Sequence, residues 1–322
     1  MKLLYSRHSG ARVTDDLWVK DMRLVVLEND ALRVSVLPEK GSDIVEFLDK
    51  RTNTDVMWRT YIGLRSIKSE PNLWGHERYF NAFYEGGWQE LFPHGSGPSK
   101  VGGVTLPMHG EVQSLPWKYA IVRDTAEAVQ VRFWTQTVLS RFQVVKQMTI
   151  NASDPVVHFS ETVTNVGGGP FDILWGHHPA FGAPFLSGDC LITLPKGRLV
   201  EGDESMLRIQ PEASASGGNM FYLTDFSEGH YGIKNGKLGV GFGMRWDPDL
   251  FKVIWIWQGY ERGTYACAIE PFSGFSEKHY DIAGRRTVEP GRSISTEFDA
   301  FLYHGDLAQA LRTSRESAKS LE

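Results

Sequence analysis

Apolar and polar residues alternate with a period of two along much of this chain, and that period restricts it to β-strands. Val129, Val131, Phe133 and Thr135 fall on one face of an extended segment, with Gln130, Arg132, Trp134 and Gln136 on the other, because successive side chains of a strand point to opposite sides. Residues 142–150, 156–164, 238–246, 253–257 and 265–269 carry the same signal. Turn-rich clusters such as Asn151-Ala152-Ser153-Asp154-Pro155 and Asn165-Val166-Gly167-Gly168-Gly169-Pro170 separate them. Many short strands at this spacing predict an all-β sandwich or barrel. Helical signals gather at the C-terminal end. There Asp306 can cap a short helix, with Gln309 three residues on, Leu307, Ala310 and Leu311 facing the body, and Lys319 near the helix end.

No internal repeat and no linker rich in Pro, Ser or charge divides the 322 residues, so one large β domain over 1–322 is expected. Residues 65–110 lack clean periodicity and are rich in Gly, Pro, Trp and His. Such a stretch reads as functional loop on a rigid scaffold. A formal charge of −5 argues against a broad nucleic-acid surface. No run of ~18 apolar residues offers a membrane span, and the apolar stretch in Met1–His8 is too short for a secretory signal. The two cysteines, Cys190 and Cys267, lie in apolar runs and read as buried thiols of a cytoplasmic protein. Open sheet edges leave room for a homodimer.

Four segments concentrate chemistry. In Trp175-Gly176-His177-His178-Pro179-Ala180-Phe181-Gly182 two histidines bring side chains that exchange protons near neutral pH. On a strand they point to opposite faces, so one can face a pocket while the other packs. Pro179 keeps His178 extended. Glu270-Pro271 follows the apolar run 265–269, placing a carboxylate at the end of a buried strand, where desolvation raises its pKa toward useful base strength. In Pro107-Met108-His109-Gly110-Glu111, Gly110 permits close backbone approach, and His109 and Glu111 would share a strand face. With a later histidine those two could also form a facial metal site, although their spacing is loose. Glu85-Gly86-Gly87-Trp88-Gln89-Glu90 offers paired glycines, an aromatic plate and polar side chains. Aromatic faces such as those of Trp88 and Trp175 can stack on the C–H faces of sugars or on bases. Without GxxxxGK[ST] or GxGxxG, nucleotide chemistry is not indicated.

Taken in order, these segments resemble the galactose mutarotase-like superfamily, the aldose 1-epimerases. Pro38 to Phe47 is similar to the family's early hairpin, and His109-Gly110 with Trp117 downstream to its His-Gly element. His178-Pro179-Ala180-Phe181 resembles its His-Pro/Ser-Tyr-Phe element with Ala180 in place of Tyr, and Glu270-Pro271 its late glutamate. The resemblance implies a twisted β-supersandwich of mostly antiparallel strands with a short C-terminal helix and a sugar site on its concave face. It implies Glu270 as general base, His178 as general acid, His109 binding the sugar and polarising its ring oxygen, and Asp225 as a sugar-binding aspartate. Trp88, Gln89, Glu90, Glu111, Trp175 and His177 complete the expected sugar-binding set. No cofactor and no metal is required, and the expected partner is a small-molecule sugar. Hexose-6-phosphate epimerases place arginines just before the paired glycines and shortly after the His-Gly. Here Glu85 and Gln113 stand instead, which points to a non-phosphorylated aldose or related sugar. The alternatives are a glycoside hydrolase or lyase, with Glu90 or Glu111 across from Glu270, a non-catalytic sugar-binding protein, and a cupin-like metal enzyme.

Overall fold

The period-two segments pair as antiparallel strands of two large sheets. A computed structural model describes residues 7–66, 82–261, 263–275, 279, 281 and 283–319. Among these residues the first sheet has 11 strands. Its central neighbours run, in spatial order, Asp43–Asp49, Trp88–Leu91, Gly176–Gly182, Ala266–Phe272, Val253–Gly259 and Gly218–Thr224. The second has 8 strands, including Ala128–Gln136, Phe142–Asn151, Val156–Asn165 and Ser293–Tyr303. Both are open paths, so the choice left by periodicity falls to a sandwich rather than a closed barrel. Helix Leu307–Lys319 closes the described chain. Asp306 Oδ1 accepts from the Gln309 backbone N–H at 2.8 Å, satisfying an orphan donor of the first turn, and Leu307, Ala310 and Leu311 pack on Val156, Phe301 and Tyr303. No helix among the described residues is long and apolar enough to cross a membrane. Cys190 and Cys267 are buried free thiols.

The structure differs from the sequence reading in three places that bear on the site. The expected loop 65–110 contains strand Trp88–Leu91 and a hairpin of Ser99–Val101 with Val104–Leu106, while its part 67–81 lies outside the described residues. The strand read as ending at 269 continues to Phe272, so Glu270 sits inside the sheet. His109 and Glu111 share no strand face. His109 occupies a turn with φ +63°, and Glu111 precedes a one-turn helix, Val112–Ser114.

The inner faces of the sheets meet over an aromatic core. Phe159 stacks on Phe298 at 4.5 Å between centroids, and Trp88 lies 5.2 Å from Phe159. This corrects the expectation that Trp88 is a sugar-stacking plate. Strand Trp88–Leu91 alternates, so Trp88 and Glu90 turn inward while Gln89 turns to the opposite face. Trp175 is likewise interior, packed on Phe92 and Phe251, with its indole N–H donating to Glu90 Oε1 at 3.2 Å. His177 is interior too, its ring centroid 4.6 Å from that of Phe298. Glu90, Trp175 and His177 are thus corrected from sugar contacts to core residues. Glu111 is corrected as well. Its carboxylate accepts from the backbone N–H groups of Val138, Leu139 and Ser140 and from the Ser140 hydroxyl, at 2.6–3.0 Å, which commits it to the turn between Ala128–Gln136 and Phe142–Asn151.

Within this core lies a polar cluster. Lys146 Nζ is 3.5 Å from Glu90 Oε2, donates to the Ser42 carbonyl at 3.2 Å and sits 4.9 Å over the Trp117 ring. His177 Nε2 is 3.1 Å from Glu161 Oε2. Burial pushes Glu161 up to about 8, against the opposing pull of Lys146. Burial and then the charge of Glu161 push Glu90 up to about 7. Burial pushes His177 down to about 3. One ammonium cannot support two buried carboxylates, so protons are retained. A glutamate whose folded pKa exceeds its unfolded value contributes stability in acid and loses it as pH rises through the folded value. The fold should therefore lose stability between about pH 5 and pH 9, and Glu161→Gln should flatten that loss. Thermal melts of both proteins across that range check this. Parallel decline of wild type and variant would refute the assignment.

Candidate functional site

The register of the central strands builds the site. Ile44 pairs with Trp88, which sets Asp43 opposite Gln89. Gln89 pairs with His178. Gly176 pairs with Phe272 and Ala180 with Ala268, which sets His178 opposite Glu270, and Glu270 pairs with Trp255. Five strands thus contribute Asp43, Gln89, His178, Glu270 and Trp255 to a single row on the outer face of the sheet. Directly opposed residues in a sheet lie about 5 Å apart at Cβ, close enough for side chains along the row to touch.

A cavity of about 400 Å³ opens over the centre of that row. Trp58, Trp255, Trp257, Tyr84, Met108 and Met220 supply its apolar walls, and His109, His178, Glu270, Ser96 and Thr264 its polar side chains. Trp58 and Trp257 lie 5.9 Å apart, and Tyr84 crosses edge-on to both His109 and His178. Such aromatic faces suit the C–H faces of a small polar ring. Glu270 is the one carboxylate among the described lining residues, and none of those residues is Arg or Lys.

His178 Nε2 lies 3.7 Å from Glu270 Oε1, too far for a direct hydrogen bond. Tyr84 Oη lies 3.4 Å from His178 Nδ1. Burial pushes Glu270 well above the ordinary carboxylate range and His178 down to about 4. Both shifts favour uncharged forms, a carboxyl group facing a neutral imidazole, because an apolar wall cannot replace the hydration of either ion. That disfavours the resting imidazolium which the resemblance implied for His178.

His109 reaches the cavity from the turn Pro107–Gly110. Its left-handed backbone is one that histidine adopts more readily than most residues. Gly110 follows with φ +79°, and a Cβ there would meet the Phe92 carbonyl oxygen at 2.4 Å, so only glycine fits. His109 Nδ1 lies 2.8 Å from Gln89 Oε1. The ring centroids of His109 and His178 are 4.8 Å apart.

Of the residues expected at the site, His109, His178 and Glu270 line the cavity and Gln89 backs His109. Asp225 is corrected. It stands at the surface just past strand Gly218–Thr224, with φ +61° and paired with Arg198 at 2.7 Å. Glu111 is held by the backbone elsewhere, so a facial set of His109, Glu111 and another histidine is not assembled. Trp58, Tyr84, Trp255, Trp257 and Asp43 were not singled out from sequence. Trp255 and Trp257 had a signal, since they alternate on one face of a segment already read as a strand. Tyr84 and Trp58 had none, because tertiary folding alone carries them over the sheet.

The family model described as "Domain of unknown function (DUF4432)" matches residues 20–299. No curated protein matches the sequence. Among solved structures, a "putative aldose 1-epimerase" from Klebsiella pneumoniae superposes with a TM-score of 0.76 at 14% identity, covering 96% of this chain and 87% of that one. A galactose mutarotase-like protein from Clostridium acetobutylicum gives 0.67 at 15% identity, covering 92% and 99%. A second "putative aldose 1-epimerase", from Escherichia coli K12, gives 0.61 at 15% identity, covering 88% and 100%. At these identities the likeness concerns the fold. The chain belongs to the DUF4432 family and is built on the fold shared with galactose mutarotase-like proteins.

Proposed function

We propose that this protein is an aldose 1-epimerase-like isomerase that interconverts the α and β anomers of a non-phosphorylated aldose or related sugar. The observation that carries the reading is the cross-strand pair of His178 and Glu270, held 3.7 Å apart in an aromatic-walled cavity. The cavity's volume of about 400 Å³ lies within the range of small-ligand sites, and the names of the solved structures on the same fold, "putative aldose 1-epimerase" and "galactose mutarotase-like", support the reading. The two-carboxylate alternative loses its candidates, since Glu90 faces the core and Glu111 binds backbone.

The chemistry needs one acid and one base in fixed positions. Ring opening breaks C1–O5. The acid protonates O5 while the base takes the proton of the C1 hydroxyl, and an aldehyde forms. Rotation about C1–C2 presents the other carbonyl face, and closure runs both transfers in reverse. The group that accepted a proton during opening returns it during closure, so each turnover visits both distributions of a shared proton. The shared proton is favoured on Glu270 in the unliganded cavity, because burial raises its carboxyl group and lowers the His178 imidazole. The state with Glu270 as base and His178 as acid lies one proton transfer away. Trp58, Trp255 and Trp257 orient the ring and exclude water, and no step calls for a metal or a cofactor.

Anomer exchange followed by polarimetry or NMR over a panel of free aldoses, uronates and sulfonated sugars tests the reading. Glu270→Gln should slow exchange by ~10² to 10⁴, the usual contribution of a positioned acid–base group. A variant with wild-type rates, or a wild type that exchanges no sugar of the panel, defeats it.

The pKa directions give a second expectation. Activity should persist through neutral pH, falling in acid as His178 protonates near about 4 and in alkali as Glu270 ionises above the carboxylate range. A kcat/KM profile confined between the ordinary values of 4.5 for glutamate and 6.5 for histidine would contradict the neutral pair.

A further inference from the structure

A chain of polar contacts runs from the cavity into the sheet, and each link fixes the next. Lys40 Nζ lies 3.9 Å from Asp43 Oδ2 and is ion-paired with Glu85. Burial pushes Asp43 up to about 6, with Lys40 the largest opposing influence, so at neutral pH Asp43 is mainly a carboxylate. A carboxylate only accepts hydrogen bonds. Gln89 therefore turns its amide NH2 toward Asp43, with Nε2 donating to Oδ2 at 2.8 Å. The amide oxygen is left for His109, 2.8 Å from Nδ1. That oxygen can only accept, so Nδ1 carries the proton.

Burial, with His178 and His94 nearby, holds His109 well below the ordinary histidine range, and a neutral imidazole has a single N–H. We propose that Asp43, acting through Gln89, locks His109 in the Nδ1–H tautomer and makes its Nε2 an obligate hydrogen-bond acceptor at the cavity wall. The role implied by the resemblance changes accordingly. A sugar ring oxygen carries no hydrogen and cannot bind an acceptor, whereas a sugar hydroxyl can. His109 Nε2 would then accept from a ligand hydroxyl rather than donate to a ring oxygen, and Gln89 and Asp43 are its positioning residues. The tautomer lock stands on the hydrogen bonds from Asp43 through Gln89 to His109, with the protonation states of Asp43 and His109 as support, while the sugar identity of the hydroxyl rests on the anomer-exchange reading.

Two-bond 15N–1H correlation spectra of the full-length chain, labelled with 15N-histidine at neutral pH, report tautomers directly and without any ligand. His109→Gln identifies the signals of His109 by their loss. The wild type should show a pyrrole-type Nδ1 and a pyridine-type Nε2. Gln89→Met, of similar size but unable to accept strongly, should shift His109 toward the Nε2–H form that free imidazole side chains favour. Asp43→Asn should do the same by another route, because its amide can donate to Gln89 and let that side chain turn its NH2 toward His109. An Nε2–H signal in the wild type, or an unmoved Nδ1–H pattern in Gln89→Met, overturns the lock. An unmoved pattern in Asp43→Asn alone overturns the part given to Asp43. Failure of anomer exchange with these signals as expected would instead count against the sugar reading only.

Discussion

The site depends on strand register. Asp43, Gln89, His178, Glu270 and Trp255 come from five strands distant in sequence, and only the pairing of those strands sets them in one row. A slip of one residue in any central strand would turn its member of the row inward and expose a core residue. The register is protected by what lies beneath. Trp88, Phe181 and Ile269 occupy the inward positions of the same strands, and moving such side chains out of the core costs several kcal/mol. The apolar packing on one side of the sheet therefore holds the polar geometry on the other.

His177 and His178 show both sides of that division. Adjacent on one strand, they face different surroundings. His177 meets Glu161 and aromatic rings in the interior, whereas His178 meets Glu270 and the cavity. Both are pushed well below the ordinary histidine value by burial, so protonation state does not tell them apart. Access does, since only His178 lines a space that a ligand can enter. The interior cluster of Glu90, Glu161, Lys146 and His177 gains no such access and makes the fold sensitive to pH instead.

Much of this was legible in the chain. Alternation gave the strands 142–150 and 156–164 nearly to their ends, and the capping of the last helix by Asp306 followed from residue type alone. The opposition of His177 and His178 followed from the geometry of an extended chain. What sequence could not supply was which face of each short strand points inward. Trp88, Glu90 and Trp175 looked like a sugar plate because they are aromatic or polar near paired glycines. Alternation with Gln89 sends Trp88 and Glu90 to the core, and Trp175, just before strand Gly176–Gly182, packs there on Phe92 and Phe251; that phase is set by the partner sheet. Glu111 looked like a ligand-binding acid because its four donors come from residues 138–140, which no local pattern connects to it. Asp225 was carried by resemblance alone, and the end of strand Gly218–Thr224 leaves it at the surface beside Arg198.

The same electrostatics bear on which substrate charge the cavity tolerates. Glu270, His178 and His109 are each driven toward their neutral forms by burial, a sign that this surface compensates ions poorly. An anionic group entering it would lose hydration and, among the described lining residues, find no Arg or Lys to replace it. The positions where phosphosugar enzymes place arginines serve the scaffold here. Glu85 is buried against Lys40, and Gln113 is buried with its amide 3.4 Å from the Met108 carbonyl, behind the turn that carries His109. Lys40 is a buried cation in the turn before strand Asp43–Asp49, but it is paired with Glu85 and Asp43 and so bears on the cavity through Gln89 and the tautomer of His109. On the proposed tautomer lock its charge aims an acceptor, and an acceptor suits a hydroxyl-bearing neutral ring better than a phosphate.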